Sequence, residues 1–189
     1  MSAHLTLLLG GVRSGKSARA LGIARTASEL RGENRRVLFV ATGQPLDDEM
    51  TRRIDTHRRE RPANWETLEA PHDLAESLAR RLAGEPVAVL VIDCLTLWVS
   101  NVLCALPDDS NAEGELASRT MELLRVRDSH RDANWIVVSN EVGLGIVPPT
   151  SLGRRYRDAL GRVNQLVAGA ADDVILMVAG LEVRLKPQG

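Results

Sequence analysis

Residues 5–17 read LTLLLGGVRSGKS, and this stretch decides the fold. The first five are near-continuously apolar, as in a strand covered on both faces of its sheet. The next eight, Gly10, Gly11, Val12, Arg13, Ser14, Gly15, Lys16 and Ser17, fit the pattern G-x-x-x-x-G-K-[ST]. The glycines let backbone N–H groups turn inward around phosphate oxygens. Lys16 is placed to reach the β- and γ-phosphates, and the Ser17 hydroxyl to ligate Mg²⁺. A helix opening at the loop adds the positive end of its dipole. Of 24 basic residues only Lys16 and Lys186 are lysine, so a lysine here carries more weight than any of the arginine clusters.

On the C-terminal side, short apolar runs alternate with longer amphipathic ones. Residues 36–41 (RVLFVA), 87–92 (VAVLVI), 135–139 (WIVVS) and 174–178 (VILMV) read as further buried strands. Helical stretches are expected at about 15–30, 47–60, 71–83, 113–130 and 151–169. The last puts Leu152, Tyr156, Ala159, Leu160, Val163 and Val167 on one face. Residues 174–178, Ala179-Gly180 and 181–185 have the spacing of a tight hairpin. The expected class is α/β: a single P-loop domain over 1–189, its mostly parallel sheet flanked by helices and ending in an antiparallel C-terminal hairpin. Residues 106–114 (LPDDSNAEG) read as a mobile surface loop. Residues 143–149 (GLGIVPP) read as a loop whose apolar Leu144, Ile146 and Val147 dock on something.

Composition excludes several function classes. The 189 residues carry a net charge of −1, which gives no bulk polyanion-binding surface. Aromatics are 3%, few for a base-stacking single-strand binder. Cys94 and Cys104 show no metal or redox spacing and read as buried thiols. The N-terminus lacks a basic region and a long enough apolar run for a signal peptide. No stretch reaches the roughly 20 apolar residues of a membrane span. A cytoplasmic protein with no nucleic-acid partner and no membrane anchor is expected.

Three further residues bear on chemistry. Asp93 ends the run 87–92 and so falls at the carboxyl edge of a central strand, where ligands bind in open α/β sheets. It reads as the carboxylate that joins Ser17 at the metal, or as an N-cap of the next helix. Glu141 follows another strand and could act on metal, water or substrate, or serve only the turn. His57 shares one face of the helix at 47–60 with Met50, Ile54 and Arg61, on its semi-buried side. Amid Arg53, Arg58, Arg59 and Arg61 its imidazole is disfavoured in the charged form, and a neutral imidazole is a nucleophile. A solvated helix histidine is the competing reading.

These strings together resemble one family. They are residues 10–17 (GGVRSGKS), R-I-x-x-H-x-x-x-R-P at 53–62, WETLE at 65–69, DCLTLW at 93–98, NEVGLGIVP at 140–148, RRYRDALGRVNQ at 154–165 and the C-terminal 179–186. In order across roughly residues 5–186, they are similar to the bifunctional adenosylcobinamide kinase/adenosylcobinamide-phosphate guanylyltransferases of cobalamin biosynthesis. The resemblance implies a RecA-like fold and a homotrimer. It implies phosphorylation of adenosylcobinamide by a nucleoside triphosphate (ATP or GTP), then transfer of GMP from GTP to that phosphate. GMP would travel on a histidine that matches His57. Guanine nucleotide would be bound by residues 10–17, by Ala41, Thr42 and Gly43, by Arg58, Arg59, Glu60 and Arg61, and by Glu69 and Asp93, with Ser17 and Asp93 at Mg²⁺. The helix at 47–60 would have to swing toward the loop. A P-loop kinase of other specificity and a non-catalytic nucleotide switch are the alternatives, and neither forms a covalent histidine adduct.

Overall fold

A computed structural model of the chain describes residues 4–31, 36–107 and 110–186. Seven strands make one sheet: β1 (Leu5–Gly10), β2 (Val37–Ala41), β3 (Glu66–Glu69), β4 (Val89–Asp93), β5 (Asn134–Val138), β6 (Asp173–Val178) and β7 (Leu181–Lys186). Their order is β3-β2-β4-β5-β1-β6-β7. All pairs are parallel except β6 with β7. The helices are α1 (Lys16–Glu29), α2 (Asp48–Arg59), α3 (Leu74–Leu82), α4 (Leu95–Ala105), α5 (Ala112–Ser129) and α6 (Ser151–Ala170). The mostly parallel α/β architecture and the C-terminal hairpin are as the sequence implies.

The uninterrupted apolar strands bury both faces, and their period of two splits them between two cores. Leu5, Leu7, Leu38, Val40, Leu90, Ile92, Trp135 and Val137 pack with α3, α4, α5 and α6. Leu8, Val37, Phe39, Val89, Val91, Ile136 and Val138 pack with α1. The amphipathic helices dock by single stripes. Leu74, Leu78 and Leu82 of α3 recur every fourth residue and are buried. In α6 the expected stripe holds for Ala159, Leu160, Val163 and Val167, whereas Leu152, in its first turn, is exposed.

Two elements are additions to the sequence reading. α4 (LTLWVSNVLCA) is apolar nearly all round because the sheet, α5 and α6 enclose it, so it shows no helical period. β3 (ETLE) is an exposed edge strand beside β2, too polar to read as buried. α5 already begins at Ala112, which shortens the loop expected at 106–114. Asp108 and Asp109 of that loop lie outside the described residues. Cys94 is half-buried but Cys104 is exposed, against the reading of two buried thiols. The apolar side chains of the loop at 143–149 are not seen docked among the described residues: Leu144, Ile146 and Val147 are all exposed. Among the described residues, no helix is long and apolar enough to cross a membrane.

Candidate active site

Register places the site. Glu69, Ala41, Asp93 and Val138 lie in one row across β3, β2, β4 and β5, at the carboxyl edge of the sheet. β1 ends beside them and turns into α1 through Gly11–Gly15. Gly10 has φ +149 and Gly15 φ +96, conformations that glycine adopts without steric cost. A Cβ on Gly10 would lie 2.4 Å from the Met177 carbonyl oxygen, so glycine is also required for space. Arg13 has φ +57, and the Ser14 N–H donates to the Gly11 carbonyl at 3.3 Å.

Lys16 is only 6% exposed. Its ammonium donates to the Gly11 carbonyl oxygen (2.6 Å) and to Ser14 Oγ (3.3 Å). Burial pulls its pKa down, against the negative charge of Asp93. The Ser17 hydroxyl is hydrogen-bonded to the Asp93 carboxylate. Burial pushes the Asp93 pKa up, while that bond and the positive charges of Arg61 and Lys16 oppose the shift. Two hard oxygen donors side by side, facing the cleft, suit Mg²⁺. Beside them burial pushes the Cys94 thiol up to about 12, so it stays protonated and poorly nucleophilic.

A polar clamp holds the Asp93 end of β4. Thr42 is fully buried. Its Oγ1 donates to the Cys94 carbonyl (2.7 Å) and accepts from the Cys94 N–H (2.9 Å). Asn101, on α4, donates from Nδ2 to the carbonyls of Thr42 (2.8 Å) and Pro71 (3.0 Å). Thr42 thus acts on the site through backbone and does not line the cleft.

α2 covers the other side. The Asp47 carboxylate caps it by accepting from the Met50 N–H at 2.7 Å, and Asp48 and Glu49 fill the first turn. No α2 residue is buried. Met50, Ile54, His57 and Arg61 do share the face toward the cleft, but the His57 side chain is 47% exposed rather than semi-buried. Its Nδ1 is 3.5 Å from a Glu60 carboxylate oxygen, a partner that the arginine-rich sequence hides. Arg58 donates to Glu69 at 3.0 Å. Arg61 lies over the Phe39 ring at 3.6 Å and donates to Thr67 Oγ1 at 3.4 Å.

Together these elements enclose an open cleft of about 690 Å³. Of the residues expected to act, Val12, Arg13, Ser14, Gly15, Lys16, Ser17, Ala41, Gly43, His57, Arg58, Glu60, Arg61, Glu69 and Asp93 line it. Gly10, Gly11, Thr42 and Arg59 do not; the first three shape its walls, and Arg59 is exposed. Glu141 is absent from it as well: its carboxylate accepts from the Gly143 N–H at 2.7 Å, the turn role. The sequence reading missed Phe39, Leu97 and Asn140 in the lining. Phe39 lies on β2 and Asn140 just past the end of β5, so the strand ends could have pointed to these two; Leu97, on α4, gives no such signal.

Over residues 6–185 the chain matches the family described as cobinamide kinase / cobinamide phosphate guanyltransferase. The chain belongs to this family. Its curated relatives agree along their whole lengths. The bifunctional adenosylcobalamin biosynthesis protein CobU of Salmonella typhimurium is 39% identical, over 96% of this chain and 99% of its own. CobU of Escherichia coli is 39% identical over the same shares. The bifunctional CobP of Pseudomonas aeruginosa is 43% identical, over 95% of this chain and 96% of its own. The family is therefore the one that the motifs resemble, and the cleft is the place to look for its chemistry.

Proposed function

We propose that this chain phosphorylates adenosylcobinamide with ATP or GTP and then joins GMP to that phosphate through a guanylyl-histidine at His57. The observation that carries this reading is the shared cleft: His57, the loop at residues 10–17 and Asp93 all face it. The proposed domain is a single one over 1–189, and the proposed location is the cytoplasm.

In the kinase step, the loop's N–H groups and Lys16 bind the triphosphate, and the substrate hydroxyl oxygen attacks the γ-phosphorus; the bond to the β–γ bridging oxygen breaks, the nucleoside diphosphate leaves with the electron pair, and the hydroxyl proton passes to solvent. In the second step a His57 nitrogen attacks the α-phosphorus of GTP. The bond to the pyrophosphate oxygen breaks, and pyrophosphate leaves with the electron pair. Glu60, on the Nδ1 side, favours a proton there and leaves Nε2 as the attacking nitrogen. Arg58 and Arg61 neutralise charge on the phosphates. The cobinamide phosphate oxygen then displaces GMP from the histidine, giving adenosylcobinamide-GDP and restoring the imidazole. Mg²⁺, held by Ser17 and Asp93, would supply charge neutralisation at the phosphates when bound. α2, with nothing buried, is cheap to displace, which supports closure of the helix onto the nucleotide.

A homotrimer is the proposed assembly. Supporting it, beside the resemblance, is an uncovered apolar face at the sheet's end: Val178, Leu181, Val183 and Leu185 are each about half exposed or more. Light scattering at micromolar concentration should return the mass of three chains.

Labelling tests the chemistry. Protein incubated with Mg²⁺ and GTP labelled at the α-phosphate should retain label that survives alkali and is lost in acid, as a phosphoramidate does, and His57→Ala should retain none. An unlabelled wild type that still binds GTP would leave a plain P-loop kinase.

A further inference from the structure

The hairpin turn between β6 and β7 reaches the phosphate loop, and nothing above gives it a role. Val178 pairs with Leu181, so Ala179 and Gly180 form a two-residue turn. Their φ values of +51 and +83 are those of the primed turns that close tight hairpins. The Gly180 N–H is turned outward and donates to the Ser14 carbonyl oxygen at 3.1 Å. The contact is close all round: a Cβ on Gly15 would lie 3.4 Å from the Gly180 Cα, and Gly10 abuts the Met177 carbonyl. Two residues further, Glu182 forms an ion pair with Arg19, its carboxylate oxygens 2.5 Å from Nε and 3.3 Å from Nη2, and Arg19 stands in the first turn of α1.

We propose that the β6–β7 turn is a positioning element for nucleotide binding: the Gly180 N–H fixes the Ser14 carbonyl and so aims the Gly15 N–H at the phosphates. The reason is the peptide plane. The carbonyl of Ser14 and the N–H of Gly15 belong to one trans peptide and point in opposite directions. A donor that holds the carbonyl outward therefore holds the N–H inward. Among the described residues the Gly15 N–H has no acceptor, and only its carbonyl is used, by the Arg19 N–H at 3.0 Å. With φ at +96 at Gly15, the Ser14–Gly15 peptide would swing freely without an external anchor, whereas the next peptide is held by the Arg19 N–H. The Arg19–Glu182 pair fixes the hairpin to the helix that the loop opens, so the anchor moves with the loop. This inference rests on reading residues 10–17 as the triphosphate site.

The test uses the full chain and two probes, GTP and inorganic tripolyphosphate. Gly180→Val forces a β-branched residue into a left-handed φ and displaces the turn. Gly180→Asn tolerates that φ and keeps the N–H. The valine variant should bind both probes roughly 3- to 10-fold more weakly, the range for one lost hydrogen bond. The asparagine variant should stay within twofold. In amide NMR spectra the Gly15 resonance, which shifts when tripolyphosphate binds, should shift less in the valine variant. Should that variant fail to fold, an amide-to-ester replacement at Gly180 removes only the N–H and should give the same loss. A folded valine variant or an ester variant with unchanged affinity and an unchanged Gly15 shift overturns the proposal. Wild-type protein that binds neither probe overturns the phosphate-site reading, and this inference with it.

Discussion

Two helices face the same cleft, and they are held in opposite ways. α1 buries Lys16, Ala20, Leu21, Ala24 and Ser28 against the sheet, and its leading loop is pinned by the hairpin turn. α2 buries nothing and is tied down by surface groups: Arg58 to Glu69, and Arg25 to the Glu60 carbonyl at 3.1 Å. The lesson is a division of labour. The side proposed to receive phosphate is fixed in advance, and the side that carries the proposed nucleophile is left free to approach it.

The sharpest way to break this comparison is to damage each side chemically. Lys16→Ala should raise the Kd for GTP roughly 100-fold, the scale of charge-assisted hydrogen bonds. His57→Ala should leave that Kd within about twofold while the covalent label disappears; isothermal titration reads both. A histidine variant that also lost GTP affinity would show that α2 binds as firmly as the loop.

Asp93→Asn comes next. Turnover should fall by about 100-fold or more, the effect of removing one aimed electrostatic group. Stability should move the other way. The Asp93 pKa is raised in the fold, so above its ordinary value of 3.8 the folded state holds the proton more tightly than the unfolded chain. Its contribution to stability then falls as pH rises through that window and is lowest once both states are ionised. The variant should melt above the parent at pH 7, and the difference should close toward pH 4.

Stability separates the helices directly. Leu21→Ala in α1 should cost about 2–4 kcal/mol, as buried leucine truncations do, and Ile54→Ala in α2 less than about 1 kcal/mol. Urea unfolding measures both, and equal costs would dissolve the contrast. The smallest expected effect is Glu69→Gln. Its pair with Arg58 is 69% and 59% exposed, so stability should change by less than about 0.5 kcal/mol.

Much of this was legible in the sequence, for identifiable reasons. The central strands are covered on both faces and so are apolar throughout. The loop motif announces backbone geometry through glycine, and Asp93 announces the sheet edge by ending an apolar run. β3 escaped notice because Glu66 and Glu69 belong to an exposed edge, and α4 because enclosure erased its periodicity. Apart from the His57–Glu60 pair, the missing pieces of the site are contacts between distant residues: Thr42 with Cys94, Arg61 over Phe39, and Gly180 on Ser14, 166 positions apart. The spacing puts His57 on the face toward the cleft, as the structure does, but implies more burial than its side chain has. A helix face that looks into an open cleft has the same residue spacing as one that looks into a core.

The tryptophans divide along the same line. Trp98 and Trp135 are 1% exposed, and the Trp98 indole is fixed to the His72 carbonyl at 2.8 Å. Trp65 is half-buried just beyond the end of α2, its backbone N–H donating to the Pro62 carbonyl at 3.1 Å. Light absorbed by the first two is emitted from surroundings that stay the same, shielded from acrylamide. The third packs against the α1-side core where α2 ends, so its emission would report the proposed displacement of that helix. On the proposed closure, the chain carries its own optical gauge, with two internal standards, and needs no attached dye.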